Sequence, residues 1–250
     1  MSFRVTELPE SAILKPLDSQ VSRQDTPLPL GNHLNWVLSG RKGQGKSSVL
    51  LSALLDQKSP WFKHYSSIHI ISPTAKKDPK FQPLLDDIEE SGQGAHYETL
   101  NNETVDEILQ RVSEFNEKYH TKKKPLSHLC IIDDCIHLLP TSQTRKGPAS
   151  RVNQLFVNNR HSKLTNVITT QQYRKINPLI RANMDLLTQF PTENAKEIES
   201  IAADFNLDHD KFVRMLSFAT DTPNSFLHVN LFGHKPTYYK KFDRIEISNA

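Results

Sequence analysis

Eight residues near the start of the chain, GRKGQGKS at 40–47, combine three glycines with a lysine and a serine. Through Gly40, Gly45, Lys46 and Ser47 they match the pattern G-x-x-x-x-G-K-[ST]. Backbone N–H groups of such a loop bind phosphate oxygens, helped by the positive end of the helix that follows. A glycine-rich turn without a ligand is the alternative. It is disfavoured because three of the chain's eight glycines are concentrated here.

This loop therefore predicts a site for a nucleoside triphosphate, ATP, with Mg²⁺. Lys46 would reach the β and γ oxygens, and the Ser47 hydroxyl would bind the metal. The predicted nucleotide-binding residues are Gly40, Arg41, Lys42, Gly43, Gln44, Gly45, Lys46, Ser47 and Ser48.

A second set of candidate residues follows the apolar run LCII at 129–132, which ends in Asp133 and Asp134. Two carboxylates at the end of a buried strand are typical of a Walker B segment. Asp133 would bind Mg²⁺, and Asp134 would act as the general base on the attacking water. Two acids that simply begin a solvated loop are the alternative interpretation. The phosphate loop favours the functional one.

A third candidate is Gln171, which ends the apolar run NVITTQ at 166–171. Its side chain could sense the γ-phosphate or orient water. A polar residue that merely ends a strand is the alternative.

The elements that must position these residues alternate along the chain. Short apolar runs predict strands, and longer amphipathic runs predict helices. Asn194 and Glu197 have the spacing of a capping box in the clearest helix. The predicted strands are 35–39, 67–72, 128–133 and 166–171, and the predicted helices are 46–57, 103–119, 149–161 and 192–206. Such alternation predicts an α/β fold with a mainly parallel central sheet flanked by helices.

The chain's 250 residues favour one large domain with short extensions. We expect a proline-containing, extended arm at 1–30, a P-loop domain at 31–232, and an edge strand with a tail at 233–250. Cys130 and Cys135 are expected to be small core residues rather than a disulfide or a metal pair.

Composition limits the classes of function. The hydrophobic fraction is 36%, and no apolar stretch approaches the roughly 20 residues that cross a bilayer, so membrane insertion is not expected. The N-terminus does not have the pattern of a secretory signal. The net charge of +3 permits a nucleic-acid partner without proving one.

Among P-loop classes, a small GTPase would need an N-K-x-D motif and a nucleoside kinase an arginine-rich lid, and the sequence has neither. The chain resembles the FtsK–HerA superfamily. Within it, the chain is similar to the genome-packaging ATPases of poxvirus-like large DNA viruses, virophages and polinton-like elements. The resemblance covers about residues 34–192 and is carried by four segments: SGRKGQGKSS, IIDDC, NNRHSKLTNVITTQQY and NPLIRANMDLLTQFPT.

This resemblance implies a RecA/FtsK-like fold and a homo-oligomeric ring in which an arginine of one subunit completes the site of its neighbour. The family's arginine–histidine pair corresponds to Arg160 and His161, and its glutamine to Gln171 after Thr170. Arg160 is the first candidate for the arginine in trans and Arg181 the second, with Arg151 and Arg174 left open. Bacterial DNA pumps usually end the acidic strand in Asp-Glu, whereas this chain has two aspartates, as viral packaging members often do.

The resemblance also implies a motor that moves double-stranded DNA into a viral capsid, with capsid proteins at a vertex as partners. Such a protein would work in the host cytoplasm or a viral factory, or in the virion. The loop 141–150 offers Arg145 and Lys146 for DNA phosphates, and an ordinary surface loop is equally compatible. The alternatives are a related DNA translocase in transfer or repair, and a virion component that binds nucleotide with little turnover.

Overall fold

Nine strands form one sheet in the computed structural model, which describes residues 25–31, 33–120, 126–135, 148–233 and 235–246, with the backbone alone at 148–150. The strands are β1 (Asn35–Ser39), β2 (Ser67–Ile71), β3 (Gly94–Tyr97), β4 (His128–Ile132), β5 (Leu164–Thr170), β6 (Leu186–Gln189), β7 (Leu227–Asn230), β8 (Thr237–Lys240) and β9 (Asp243–Arg244). Their order across the sheet is β3-β2-β4-β5-β1-β6-β7-β8-β9.

Within the described ranges, seven α-helices connect or flank these strands. They are α1 (Lys46–Leu55), α2 (Gln82–Ser91), α3 (Asn102–Lys118), α4 (Pro148–Val157), α5 (Pro178–Arg181), α6 (Ala195–Asp204) and α7 (His209–Ala219). Among the described residues, none of these helices is long and apolar enough to cross a membrane.

The six strands from β3 to β6 in the sheet order are parallel, and β7, β8 and β9 extend the sheet in antiparallel pairing. The predicted α/β fold with a mainly parallel sheet is therefore confirmed. β5 lies between β1 and β4, so one strand separates the phosphate loop from the acidic strand. We call the edge where the parallel strands end the carboxyl edge, and the edge where they begin the amino edge.

The central strands β1, β4 and β5 are buried along their whole length. Successive side chains point to opposite faces, so each strand contributes to two apolar clusters. Val37 and Cys130 belong to one cluster, Trp36 and Leu129 to the other. This two-sided burial holds the strand ends in fixed positions.

Both cysteines are free and buried, as predicted. Burial raises the pKa of the Cys130 and Cys135 thiols to about 12. The two side chains are therefore neutral core groups rather than reactive thiolates.

The helix predicted over 192–206 spans only Ala195–Asp204. Of the two hydrogen bonds expected in its capping box, one forms and the other does not. Asn194 does cap the helix, since its side chain accepts from the backbone N–H of Lys196 at 3.1 Å. The Glu197 carboxylate instead accepts from the backbone N–H of Arg174 at 3.2 Å. A tertiary contact thus replaces the local one.

Residues 25–30 lie against the antiparallel end of the sheet. The Pro27 carbonyl accepts from His228 Nε2 at 2.7 Å, and the Thr26 carbonyl accepts from Asn230 Nδ2 at 2.8 Å. Leu28 is buried among the apolar residues beneath. These contacts attach the end of the predicted arm to β7. Residues 1–24 lie outside the described part of the chain.

Candidate nucleotide site

The phosphate loop leaves β1 at Ser39 and enters α1 at Lys46. Gly43 and Gly45 have φ angles of 82° and 102°, a left-handed region that favours glycine. Gly45 is the N-cap of α1, and no side chain caps this helix. The N–H groups of the first turn are therefore not occupied by a cap, and an anion can accept from them.

Close packing explains the first glycine of the motif. A Cβ at Gly40 would lie 2.5 Å from Phe190 Cβ and 2.6 Å from Gln44 Oε1. Gln44 holds the loop in place, because its Oε1 accepts from the Arg41 N–H at 2.6 Å and its Nε2 donates to the Pro191 carbonyl at 3.0 Å. The loop is thus shaped by its own sequence and by the chain after β6.

Lys46 turns back over the loop. Its Nζ donates to the carbonyls of Gly40 at 2.7 Å and Arg41 at 3.0 Å. Burial lowers the pKa of this ammonium from its ordinary value, while the carboxylates of Asp134 and Asp133 act in the opposite direction. The side chain lies where the motif requires a cation beside the phosphates.

Asp133 follows β4 directly and is buried. Its Oδ1 accepts from Thr169 Oγ1 at 2.6 Å and from Ser47 Oγ at 3.3 Å, and its Oδ2 accepts from Ser72 Oγ at 3.3 Å. Burial raises the pKa of this carboxyl, and the hydrogen bond from Thr169 opposes the shift. Three hydroxyl groups, from β5, from α1 and from the connection after β2, therefore converge on one carboxylate.

This donor set fits Mg²⁺. Ser47 and Asp133 offer a hydroxyl and a carboxylate oxygen 3.3 Å apart, and hard oxygen ligands are those that Mg²⁺ prefers. The described residues contain no cluster of three or more His, Cys, Asp or Glu side chains arranged for a metal.

Asp134 has a φ of 50°, which turns the chain sharply after the strand. Its backbone N–H donates to Thr169 Oγ1 at 3.2 Å, and its Oδ1 accepts from Gln171 Nε2 at 3.1 Å. The predicted base and the predicted sensor are thus in direct contact. Asp and Asn are the non-glycine residues that most readily adopt this backbone conformation.

Thr169 is a site residue that the sequence did not reveal. Alternation along β5 directs it to the acidic side chains, whereas Thr170 accepts from the Gln172 N–H at 3.0 Å. The sequence did contain a signal for it, because Thr169 lies two residues before Gln171 and side chains two apart on a strand point to the same face.

These groups line one cleft of about 610 Å³ at the carboxyl edge. Besides Thr169, five lining residues were not predicted from the sequence, and four of them belong to the connection between β2 and α2. They are Thr74, Lys77, Asp78, Lys80 and, from the turn before β7, Asn224.

Comparison with known proteins agrees with this geometry. The model of a family described as "Poxvirus A32 protein" matches residues 28–229. The chain belongs to the poxvirus A32 protein family. The match includes the phosphate loop, both aspartates and Gln171, and it confirms the resemblance inferred from the four sequence segments.

Among relatives of this A32-family chain is "Uncharacterized protein L437" of Acanthamoeba polyphaga mimivirus, 24% identical over 156 residues. That match covers 60% of this chain and only half of the mimivirus protein. The genome packaging NTPase B204 of Sulfolobus turreted icosahedral virus 2, solved with AMP, has a TM-score of 0.59 at 18% identity and covers 88% of this chain and 100% of its own.

B204 of Sulfolobus turreted icosahedral virus, described as a DNA-packaging ATPase, has a TM-score of 0.60 at 18% identity. The alignment covers 86% of this chain and all of B204. At these identities the likeness shows a shared fold.

Arg160 of the A32-family chain lies at the amino edge, so the length of the parallel strands separates it from the cleft. Its Nη2 is 3.9 Å from Asp185 Oδ1, and its guanidinium lies 5.8 Å from the centroid of the Phe232 ring. The seven residues of β5 separate it from Gln171, a span of about 20 Å. The side chain is 57% exposed. The structure does not bring Arg160 to its own subunit's cleft.

Arg181 is held within its own subunit. Its Nη1 lies 2.8 Å from Asp204 Oδ2, and its guanidinium lies 5.4 Å from the centroid of the Tyr173 ring. Only 14% of the side chain is exposed. Arg151 pairs with Asp106 at 3.2 Å. Arg174, in contrast, is exposed just after the carboxyl edge.

The predicted DNA-binding residues, Arg145 and Lys146, lie outside the described residues. Their role stays a prediction from the sequence.

Proposed function

We propose that this chain is the ATP-hydrolysing subunit of a motor that moves double-stranded DNA into a viral capsid. The observation that carries the proposal is the convergence of Ser47, Asp133, Asp134 and Gln171 beside a phosphate loop. Membership of the poxvirus A32 protein family and the fold shared with a genome packaging NTPase support it.

Substrate binding would rest on the loop and Lys46. Backbone N–H groups of residues 43–47, including those at the start of α1, would donate to the phosphate oxygens. Ser47 and Asp133 would hold Mg²⁺. When bound, the ion neutralises phosphate charge and polarises the γ-phosphoryl group.

Hydrolysis would use the pair Asp134 and Gln171. A water oxygen attacks the γ-phosphorus, the bond to the bridging oxygen of ADP breaks, and the water proton passes to the Asp134 carboxylate. Gln171, in contact with Asp134 at 3.1 Å, would orient that water. Thr169 would fix both acids through its hydrogen bonds.

Ring assembly would complete the site. Arg160 is more than half exposed and faces away from its own cleft, so it would act only on a triphosphate of the neighbouring subunit. A guanidinium supplied across an interface stabilises transition-state charge and couples hydrolysis to neighbour movement. Arg181, the second candidate, would first have to leave Asp204 and Tyr173.

The DNA path would involve Arg145 and Lys146. A motor that moves any sequence needs contacts to phosphates rather than to base edges. Capsid proteins at a vertex are the proposed docking partners, and the host cytoplasm, a viral factory or the virion the proposed location.

The test is steady-state ATP hydrolysis with and without double-stranded DNA, for the wild type, Lys46→Ala and the double variant Arg145→Ala/Lys146→Ala. We expect DNA to stimulate the wild type, Lys46→Ala to be inactive, and the double variant to keep basal activity but lose stimulation. ATP binding without turnover would identify a structural nucleotide-binding component instead. Turnover that ignores DNA would reject the motor.

A further inference from the structure

The connection between β2 and α2 forms the wall of the cleft that faces the phosphate loop. Ser72, at its start, is buried and donates to Asp133 Oδ2 at 3.3 Å. The same hydroxyl accepts from the backbone N–H of Ala75 at 3.1 Å and of Thr74 at 3.3 Å. One side chain therefore fixes this wall relative to the carboxylate proposed to bind Mg²⁺.

Two buried residues anchor the rest of the wall. Ala75 and Phe81 are each 1% exposed. Between them the backbone is held by hydrogen bonds, since the Asp78 N–H donates to the Thr74 carbonyl at 3.1 Å and the Lys80 N–H donates to Asp78 Oδ1 at 3.0 Å. Hydrogen bonds and two buried side chains thus hold the backbone of the wall in place.

Lys77 and Lys80 belong to this wall and line the cleft. The Lys80 ammonium donates to Ser48 Oγ at 3.3 Å and so reaches the first turn of α1. Within the described part of the chain, neither lysine has an acidic partner within ion-pair distance. Lys76, by contrast, pairs with Glu98 at 3.5 Å and does not line the cleft.

We infer that Lys77 and Lys80 form a second phosphate-binding wall, which contacts the γ-phosphate of the nucleoside triphosphate in addition to the phosphate loop. The inference rests on the proposed function. A triphosphate carries more negative charge than Mg²⁺ and Lys46 neutralise together, so further cations in the cleft stabilise it.

The position of the wall selects the terminal phosphate. It begins at Ser72, whose hydroxyl donates to Asp133, the carboxylate proposed to bind Mg²⁺ beside the γ-phosphate. A diphosphate lacks the group that these lysines would contact. The wall therefore favours the triphosphate state and releases its contacts after hydrolysis.

The experiment titrates the full chain with fluorescently labelled ATP and, separately, labelled ADP in the presence of Mg²⁺. Lys77→Ala and Lys80→Ala are each expected to weaken ATP affinity about three- to tenfold, and the double variant more. ADP affinity should change less than about twofold, since the γ-phosphate is missing. Lys76→Ala, from the same turn, is the matched control and should bind both nucleotides like the wild type, and Lys80→Arg should retain most of the ATP affinity.

Other results would overturn the inference. Equal losses for ATP and ADP would assign the lysines to the inner phosphates or the base, and unchanged ATP affinity in the double variant would make them ordinary surface residues. Weaker DNA binding with unchanged ATP affinity would assign them to DNA. Thermal unfolding of each variant checks folding. Failure of the proposed function is a separate outcome, because it is measured on the wild type, which would then bind no ATP, bind ATP without turnover, or hydrolyse ATP without stimulation by DNA.

Discussion

The two edges of the parallel sheet are both polar, yet they use polar side chains differently. At the amino edge, Asn166 Nδ2 donates to Asn35 Oδ1 at 2.8 Å, and the Asn35 N–H donates to Asp185 Oδ2 at 2.9 Å. At the carboxyl edge, Asp133 and Asp134 accept from hydroxyl and amide side chains. Each edge therefore has a carboxylate within a hydrogen-bond network.

The difference lies in what surrounds each network. At the amino edge, the remaining donors go to backbone carbonyls, since Asn35 Nδ2 donates to Phe156 and Asn183 and Asn166 Nδ2 donates to Leu155. Both asparagines of that network are buried and Asp185 is partly buried beside Arg160, so the network ties loops to the sheet. At the carboxyl edge, the same kinds of group line an open cleft beside an uncapped helix. A polar strand end thus marks a binding site only where its partners leave it open to a ligand.

The largest expected effect is on chemistry at the carboxyl edge. Asp134→Asn keeps an oxygen for the Gln171 contact but cannot accept a proton, so turnover should fall about 10²- to 10⁴-fold while ATP affinity stays within about twofold. ATP hydrolysis and nucleotide titration measure the two quantities. Asp86→Asn, an exposed carboxylate on α2, is the control. Loss of ATP binding as severe as that in Lys46→Ala would contradict the role of Asp134.

At the amino edge the expected effect is on stability alone. Asn35→Ala removes donors to two backbone carbonyls and the acceptor of Asn166, which should lower the free energy of unfolding by about 2–4 kcal/mol. Urea unfolding measures this, with the exposed Asn158→Ala as a near-neutral control. ATP affinity of the folded protein should not change. A variant with wild-type stability and weakened ATP binding would break the comparison between the edges.

Two glycines test how the phosphate loop is shaped. Gly40→Ala places a Cβ against Phe190 and Gln44, and the overpacking should cost about 1–3 kcal/mol and distort the loop. Gly43→Ala meets open space but has a φ of 82°, so it should cost about 1 kcal/mol. Thermal unfolding and ATP titration would be compared. If Gly40→Ala were neutral in both, the loop would not need this close approach.

A smaller effect is expected on the pH dependence of the free energy of unfolding, through His128. Burial lowers the pKa of His128, which begins β4, to about 4. The imidazole of His128 takes up a proton near pH 6.5 in the unfolded chain and only near pH 4 in the folded chain. Its contribution to the free energy of unfolding is therefore fully present above pH 6.5 and is lost as the pH falls toward 4. From pH 7 to 5.5 the loss should be about 1 kcal/mol. Urea unfolding of His128→Gln should show a pH dependence reduced by that amount, and an unchanged dependence would mean that His128 titrates alike in both states.

The phosphate loop and the central strands were predictable because their signals are local. Residues 35–39 form a strand with the predicted bounds, and α1 begins at Lys46 as expected. An apolar run and a glycine pattern each report a conformation that depends little on distant residues.

β6 and β7 were not predicted because their polar residues are satisfied far along the chain. Thr188 Oγ1 donates to His228 Nδ1 at 2.8 Å and accepts from Trp36 Nε1 at 2.9 Å. Only the folded sheet brings these three side chains together, so each strand taken alone looks too polar to be buried.

The same limit applies to the site. Ser72 and Lys77 have no motif of their own, and Ser72 reaches Asp133 across 61 residues of sequence. Arg160 was chosen through a family pattern, and its distance from its own cleft becomes visible only when β5 is placed. Sequence patterns thus located the groups proposed to bind phosphate and metal, but not the walls around them.

The most direct test of the difference between the edges is a crystal structure of Asp134→Asn with ATP and Mg²⁺. We predict the triphosphate on the backbone N–H groups of residues 43–47, the ion against Ser47 and Asp133, and the amino-edge network of Asn35, Asn166 and Asp185 unchanged. Nucleotide bound elsewhere, or a metal held without Asp133, would contradict the account.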